Sequence, residues 1–327
     1  MNTVATSLKT SLTTSLVNGL LGIKPLAQFA RQRARQMMMD RAETIGVYWR
    51  DEVKALETRE VDITPSATDA KVNPIWEEEL RAIANLDIQY PPYYVKKFHA
   101  YDDGNLGWLP AMEVDVAARA VHARIWPDED DRSGIQGDAS LRASYHQILV
   151  NLLPKTPGEI VDLGCGVGVS TSAIQETFPA AQVTGVELSP YFLTVGQYRQ
   201  KKLAEPHLIR WVHAAAEKTG LSANAADLVS AFLVFHELPT SAAKDILAEA
   251  YRLVRPGGHF AIMDMNPASK IYRELPPYVF TLLKSTEPYL DQYFSLDMDR
   301  AFQEAGFAAP QIIANSPRHR TIIGQKV

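Results

Sequence analysis

Residues 160–174 read Ile-Val-Asp-Leu-Gly-Cys-Gly-Val-Gly-Val-Ser-Thr-Ser-Ala-Ile, an acid followed by three alternate glycines. The stretch follows a short apolar run and opens a helix-like segment. Glycines let a backbone approach a ligand closely, and a helix N-terminus offers free N–H groups. A triphosphate loop requires Lys-Ser or Lys-Thr after its last glycine, but Gly168 is followed by Val169-Ser170. A dinucleotide loop requires a third small residue where Val169 stands, and a pyrophosphate would share its site with Asp162. The spacing therefore disfavours both phosphate ligands.

Other residue types carry chemistry further along. Glu187 lies 25 residues after Asp162, in Val-Thr-Gly-Val-Glu-Leu-Ser-Pro. An acid ending a second strand accepts two ribose hydroxyls; its alternative role is to favour the next helix N-terminus. His236 and Glu237 stand in Phe-His-Glu-Leu-Pro. The imidazole is a candidate base, with Glu237 orienting it or binding substrate, or else it bonds only to a loop. Asp264 is a second catalytic candidate. Two aromatic segments, 89–108 and 266–294, supply candidate substrate contacts: Tyr94, His99 and Trp108 from the first, Tyr272, Tyr278 and Tyr289 from the second. Rings with polar tips suit a flat or greasy acceptor, and some of them cement a cap to the core. His99 is more easily read as structural.

The whole chain bounds these readings. It has 327 residues, 46% hydrophobic and 22% charged, the profile of a globular protein of one large domain or two ordinary ones. It contains no run of eighteen apolar residues. The lone Cys165 excludes an intrachain disulfide and a multi-cysteine zinc site, and fits a reducing compartment. Net charge is −5, yet residues 1–39 carry +5 and no acid, which leaves −10 on residues 40–327. An acidic body argues against a nucleic-acid groove. The basic N-terminus has three readings: an ordinary helix with a solvated basic face, an organelle transit segment, or a membrane-surface helix spanning residues 1–36.

Element signals change near residue 150. Before it, helical patches cover Pro25–Leu56, Pro74–Ala84, Ala111–Ile125 and Ala139–Leu153. After it, short apolar runs alternate with helices. The predicted strands are Ile160–Leu163, Gln182–Leu188, Ile209–Ala214, Asp227–Phe235 and His259–Met265, then a C-terminal antiparallel pair, Gln311–Ala314 and Thr321–Gln325. Ser189 is placed to cap a helix that begins at Pro190. A helix over Thr240–Arg255 precedes the Pro256-Gly257-Gly258 turn. This alternation predicts an α/β fold with a doubly wound, mostly parallel seven-stranded sheet. Residues 1–138 are read as a mainly helical cap, and 139–327 as the cofactor domain with a lid insertion at 266–295.

On these motifs the chain resembles the class I S-adenosylmethionine-dependent methyltransferases, closest to the small-molecule enzymes of ubiquinone and menaquinone biosynthesis. Asp162-Leu163-Gly164-Cys165-Gly166-Val167-Gly168 matches their acid-x-G-x-G-x-G motif, and Asp245–Asp264 resembles their helix, Arg-Pro-Gly-Gly turn and fifth strand. The resemblance covers residues 139–327. It implies S-adenosyl-L-methionine as cofactor, S-adenosyl-L-homocysteine as product and no metal. Gly164, Gly166 and Gly168 would lie against the methionine part, with Cys165 packing inside the turn. Asp162 would hold the cationic end, and Glu187 with Leu188 the ribose. Family members often place an Asp where Ala215 stands, so the resemblance implies that adenine rests on backbone near Ala216, with Glu217 and Phe232 close by.

The implied activity is O- or C-methylation of a small aromatic or hydrophobic metabolite. The alternatives are a protein methyltransferase, or a non-catalytic cofactor-binding scaffold that acts through its N-terminal helices. Tyr90-Pro91-Pro92-Tyr93 and Leu275-Pro276-Pro277-Tyr278 lack the first residue of the tetrapeptide used by amino-methylating nucleic-acid enzymes, and neither follows strand four. The expected setting is cytoplasmic, with membrane contact through residues 1–36 as a further expectation.

Overall fold

The computed structural model describes residues 24–59, 72–96, 101, 104–203 and 209–327. Most of the N-terminal basic segment, and His99, lie outside the described residues. Helix α1 (Lys24–Thr44) ends where Gly46 takes φ +84°, and α2 (Trp49–Thr58) starts afresh, so the stretch expected as one helix is two. Then come α3 (Ile75–Ile83), α4 (Trp108–His122) and α5 (Gly137–Leu152).

The α/β alternation follows: β1 (Glu159–Leu163), α6 (Val169–Thr177), β2 (Gln182–Glu187), α7 (Pro190–Lys201), β3 (Arg210–His213), β4 (Ala226–Phe232), α8 (Thr240–Leu253) and β5 (Val254–Met265). The lid segment holds the short helices α9 (Lys270–Arg273), α10 (Pro277–Lys284) and α11 (Leu290–Ser295). The chain closes with α12 (Met298–Ala305), β6 (Gln311–Ala314) and β7 (His319–Gln325). Ser189 caps α7 by accepting the Phe192 N–H at 3.3 Å, with Pro190 in the first turn.

The sheet order is β3-β2-β1-β4-β5-β7-β6. β7 runs antiparallel to both its neighbours, and the other pairs are parallel. The strand period of two divides the core. Val161, Leu163, Val229, Phe260 and Ile322 pack against α8 and α12 on one face. Ile160, Val183, Leu228, Ala261 and Ile323 pack against α5 and α6 on the other. Burial of each such aliphatic side chain contributes about 1.5–3 kcal/mol. A third apolar cluster joins α1–α4 to the outer face of α7 through Trp49, Trp76, Met112, Phe192 and Val195.

Two strands depart most from the sequence expectation, for local reasons. β5 includes the Pro-Gly-Gly turn, because the pairing shifts register between Ala226↔Val254 and Leu228↔His259, a bulge that absorbs it. β4 stops at Phe232 instead of Phe235. Leu233 adopts φ +57° while its N–H still donates to the Met263 carbonyl at 2.8 Å. This left-handed kink turns Phe235–Glu237 into a 3₁₀ turn. No described helix is long and apolar enough to cross a membrane.

Candidate active site

The carboxyl ends of the parallel strands form the crevice where open α/β sheets take ligands. Its first half gathers the ends of β1, β2 and β3. The three motif glycines all have positive φ, yet they serve different ends. A Cβ on Gly164 would lie 2.7 Å from Val234, and one on Gly168 would strike the Trp211 ring, so both are needed for internal packing. On Gly166 the nearest atom would be Phe192 Cδ2 at 3.9 Å. Gly166 therefore keeps a partly exposed backbone where a side chain would meet no clash.

The Gly166 N–H donates to Glu187 Oε2 at 3.0 Å, and the Ser189 N–H donates to Oε1 at 2.8 Å. The Tyr94 hydroxyl donates to that same Oε1 at 3.1 Å. Burial pushes the Glu187 carboxyl up from its ordinary value, against these hydrogen bonds. Asp162 shares a sheet face with Ile160, so its buried carboxylate points toward α6. There it accepts the Thr171 hydroxyl at 2.8 Å, and burial pushes its pKa to about 6. Asp162 thus reaches the crevice by its charge and not by direct exposure.

Leu188 is buried behind Glu187, and Ala216 is partly buried against the core. Cys165 is buried, and burial pushes its thiol well above the usual range, consistent with packing and not with nucleophilic chemistry. Phe232 lies in the core, under the Arg142 guanidinium at 4.5 Å and beside Tyr145. Glu217 accepts the Tyr93 hydroxyl at 2.8 Å through Oε1.

The second half gathers the ends of β4 and β5 and the start of β7. The Leu233 kink brings His236 onto Asp264, which the sequence had offered as separate candidates. His236 Nδ1 and Asp264 Oδ1 are 2.8 Å apart, and the His236 N–H donates to Oδ2 at 3.1 Å. Asp264 is fully buried, and Oδ1 also accepts the Met265 N–H at 2.6 Å. Asp264 thus holds the imidazole through Nδ1, and Glu237 adds its charge nearby. Burial works to lower the His236 pKa, but the Asp264 carboxylate, with Glu287 and Glu237 nearby, outweighs it and holds the value at about 10. His236 therefore carries its proton at neutral pH.

A second ion cluster stands beside this pair. Asp138 bonds His122 Nδ1 at 2.6 Å and accepts from Arg142 Nε at 3.0 Å, and the His122 ring meets His319 edge-on at 6.0 Å. Neither Asp138 nor Arg142 was singled out from sequence. The signal was an acid and a base four residues apart in the first turns of α5.

The proposed substrate residues scatter. Tyr94 lies on the donor side against Glu187. Tyr272 packs edge-on to Phe294 at 5.2 Å, and the charges of Asp264 and Arg318 both act on it, which puts it beside the histidine pair. Tyr289 is buried in the lid, with the Lys96 ammonium 5.3 Å from its ring centre, so the lid meets the 85–96 segment there. Trp108 donates to Glu77 at 2.7 Å and packs on Trp76 and Tyr191, inside the helical cap. Tyr278 is 37% exposed on α10.

The donor half fits S-adenosylmethionine. A partly exposed glycine backbone, three carboxylates and a buried orphan oxygen on Glu217 suit a ligand with a ribose diol, an amine and two positive charges. Among the described residues no group of His, Cys, Asp and Glu is placed to hold a metal ion.

Comparison with known proteins agrees. The family described as "Methyltransferase domain" matches residues 161–262. An uncharacterized methyltransferase of Synechocystis is 28% identical over 164 residues, 50% of this chain and 73% of its own length. A trans-aconitate 2-methyltransferase of Azoarcus is 34% identical over 155 residues, 46% of this chain and 57% of its own. A ubiquinone/menaquinone biosynthesis C-methyltransferase of Desulfotalea psychrophila is 28% identical over 142 residues, 43% and 54%. The match thus spans little more than half the length of the latter two. A Nostoc punctiforme structure, provisionally assigned as an O-methyltransferase, shares the fold with a TM-score of 0.51 at 16% identity, over 77% of this chain and 69% of that one. Residues 161–262 thus carry a methyltransferase domain of the S-adenosylmethionine-dependent kind.

Proposed function

We propose that the protein methylates an oxygen or carbon of a small, hydroxylated aromatic or hydrophobic metabolite. The observation that carries this reading is the His236–Asp264 pair at the mouth of the acceptor half, with Tyr272 and Phe294 beside it. Methyl transfer is an in-line displacement at a carbon already activated by positive sulfur. The protein must align the acceptor and manage charge on it. An imidazolium held by a buried carboxylate stabilises an acceptor bound as its oxyanion, its hydroxyl proton having gone to solvent; the oxygen then takes the methyl, or it activates a neighbouring ring carbon whose proton leaves to solvent after transfer. In this reading residues 1–138 cover the crevice, residues 139–327 form the catalytic domain, and 266–295 act as the lid that shapes acceptor choice. The names of the trans-aconitate and quinone-biosynthesis relatives support a small acceptor bearing oxygen.

The test is incubation of the full chain with a small-molecule extract and S-adenosylmethionine labelled in its methyl group. Label in hydroxylated small molecules, lost in the His236→Ala variant, is the expected result. Label confined to protein, or equal labelling by the variant, would overturn the reading.

A further inference from the structure

The bend between β6 and β7 carries Arg318, immediately before His319 opens β7. Its backbone is pinned on both sides. The N–H donates to the Ser316 hydroxyl at 3.2 Å, and the carbonyl accepts the N–H of Asn266, at the start of the lid segment, at 2.8 Å. The same Ser316 Oγ lies 2.8 Å from His319 Nδ1. The side chain therefore starts from a fixed point where β7 meets the lid. Its charge acts on Tyr272 of the lid, on His122 at the end of α4 and on His319. The His236 charge acts on His319 as well, so Arg318 and the His236–Asp264 pair share that neighbour. Arg318 Nη2 is buried and has no hydrogen-bond partner among the described residues. The buried acids of this half are already taken, Asp264 by His236 and Asp138 by His122 and Arg142. Burial chiefly, and the Arg318 charge after it, holds His122 and His319 below the ordinary imidazole range, so Arg318 is the cation of these three. A buried guanidinium N–H without an acceptor is costly, and its planar fork of donors matches a carboxylate.

We propose that Arg318 binds a carboxylate of the acceptor, one that does not itself take the methyl, and so restricts the substrate to hydroxylated carboxylic acids. The inference rests on the function proposed above and deepens it. The acceptor hydroxyl would lie at His236 and its carboxylate at Arg318, with Tyr272 and the His319 ring beside both anchors. Two fixed contacts orient a small molecule where one leaves it free to turn. A neutral phenol of the same shape would leave the Nη2 N–H unpaired and bind more weakly.

The experiment uses the full chain, methyl-labelled S-adenosylmethionine and a small-molecule extract, against a chain-free blank. The labelled products are passed over an anion exchanger at neutral pH, before and after phosphatase treatment. Retention that survives the phosphatase is the expected result, since the product keeps its carboxylate. Labelled products that flow through, or retention that the phosphatase abolishes, overturn the proposal and leave the proposed function standing. The extract fraction that holds the acceptor is then titrated against variants. Arg318→Met should raise its KM by about tenfold or more while the S-adenosylhomocysteine dissociation constant stays within about threefold of wild type. A KM within about twofold of wild type, or equal losses of acceptor and cofactor affinity, overturns the proposal. If that variant melts below the assay temperature, Arg318→Lys decides: it keeps the charge, loses the fork and must raise KM by about threefold, and an unchanged KM overturns the proposal. An extract in which no small molecule takes label overturns the proposed function, and this inference with it.

Discussion

The two halves of the crevice bury their charges in opposite ways. On the donor side, among the described residues, the hydrogen bonds to Asp162, Glu187 and Glu217 come from hydroxyls and backbone N–H groups, and none is an ion pair. On the acceptor side, the buried carboxylates Asp264 and Asp138 bond cations or imidazoles. The donor half therefore keeps net negative charge in a low-dielectric site, which a sulfonium and an ammonium would neutralise. The acceptor half is largely neutralised internally, so the shape and aromatic character of its lid carry more of the selection. Under the proposed function, charge fixes the donor, while lid packing adds to what the His236–Asp264 pair selects.

That contrast can be broken at several points. The largest effect should come from His236→Ala, which should lower turnover by about a hundredfold while leaving the cofactor dissociation constant within about threefold. Paired turnover and calorimetric measurements check this, and a variant that instead loses cofactor affinity would erase the division between halves. Glu187→Ala, and likewise Asp162→Ala, should weaken cofactor binding by about tenfold or more, about 1.4 kcal/mol, with the fold intact. Unchanged affinity would mean that the donor-side carboxylates are only structural.

The pH dependence follows from the same groups. Burial raises Asp162 to about 6, so it is ionised above that pH and neutral below it. Cofactor affinity should therefore fall as pH drops through about 6. His236, raised to about 10, is protonated below that value, so turnover should fall as pH rises through it. A profile that rises there instead would make His236 a base and not an imidazolium. The smallest expected effect belongs to Tyr94→Phe. Glu187 has about four acceptor sites and already uses three, so a ribose diol must displace one donor, and the phenol is the one able to turn away. Removing it should tighten cofactor binding by about threefold, read by calorimetry.

Much of the donor half was legible in the sequence because its parts are local. The strand period, the glycine spacing and Glu187 at a strand end each depend on a few adjacent residues. The class of fold came from the same alternation, and the observed β1 and β2 differ from expectation by one residue at one end. The acceptor half was less legible. His236 and Asp264 are 28 residues apart, and their contact depends on the left-handed Leu233, for which a leucine gives no warning. Trp108 looked like an acceptor wall until Trp76 and Tyr191 closed around it, 32 residues before it and 83 after.

By itself, then, the sequence determined a doubly wound sheet, which rests on backbone periodicity, while the nucleoside site at Asp162 and Glu187 was implied by the resemblance of their motifs to methyltransferases. Only the tertiary structure decided that Asp264 holds His236, that Asp138 joins His122 to Arg142, and that Tyr93 and Tyr94 reach the two acids ending β2 and following β3. Those contacts join segments distant along the chain, and only the packing of the helical cap and lid onto the sheet brings them together.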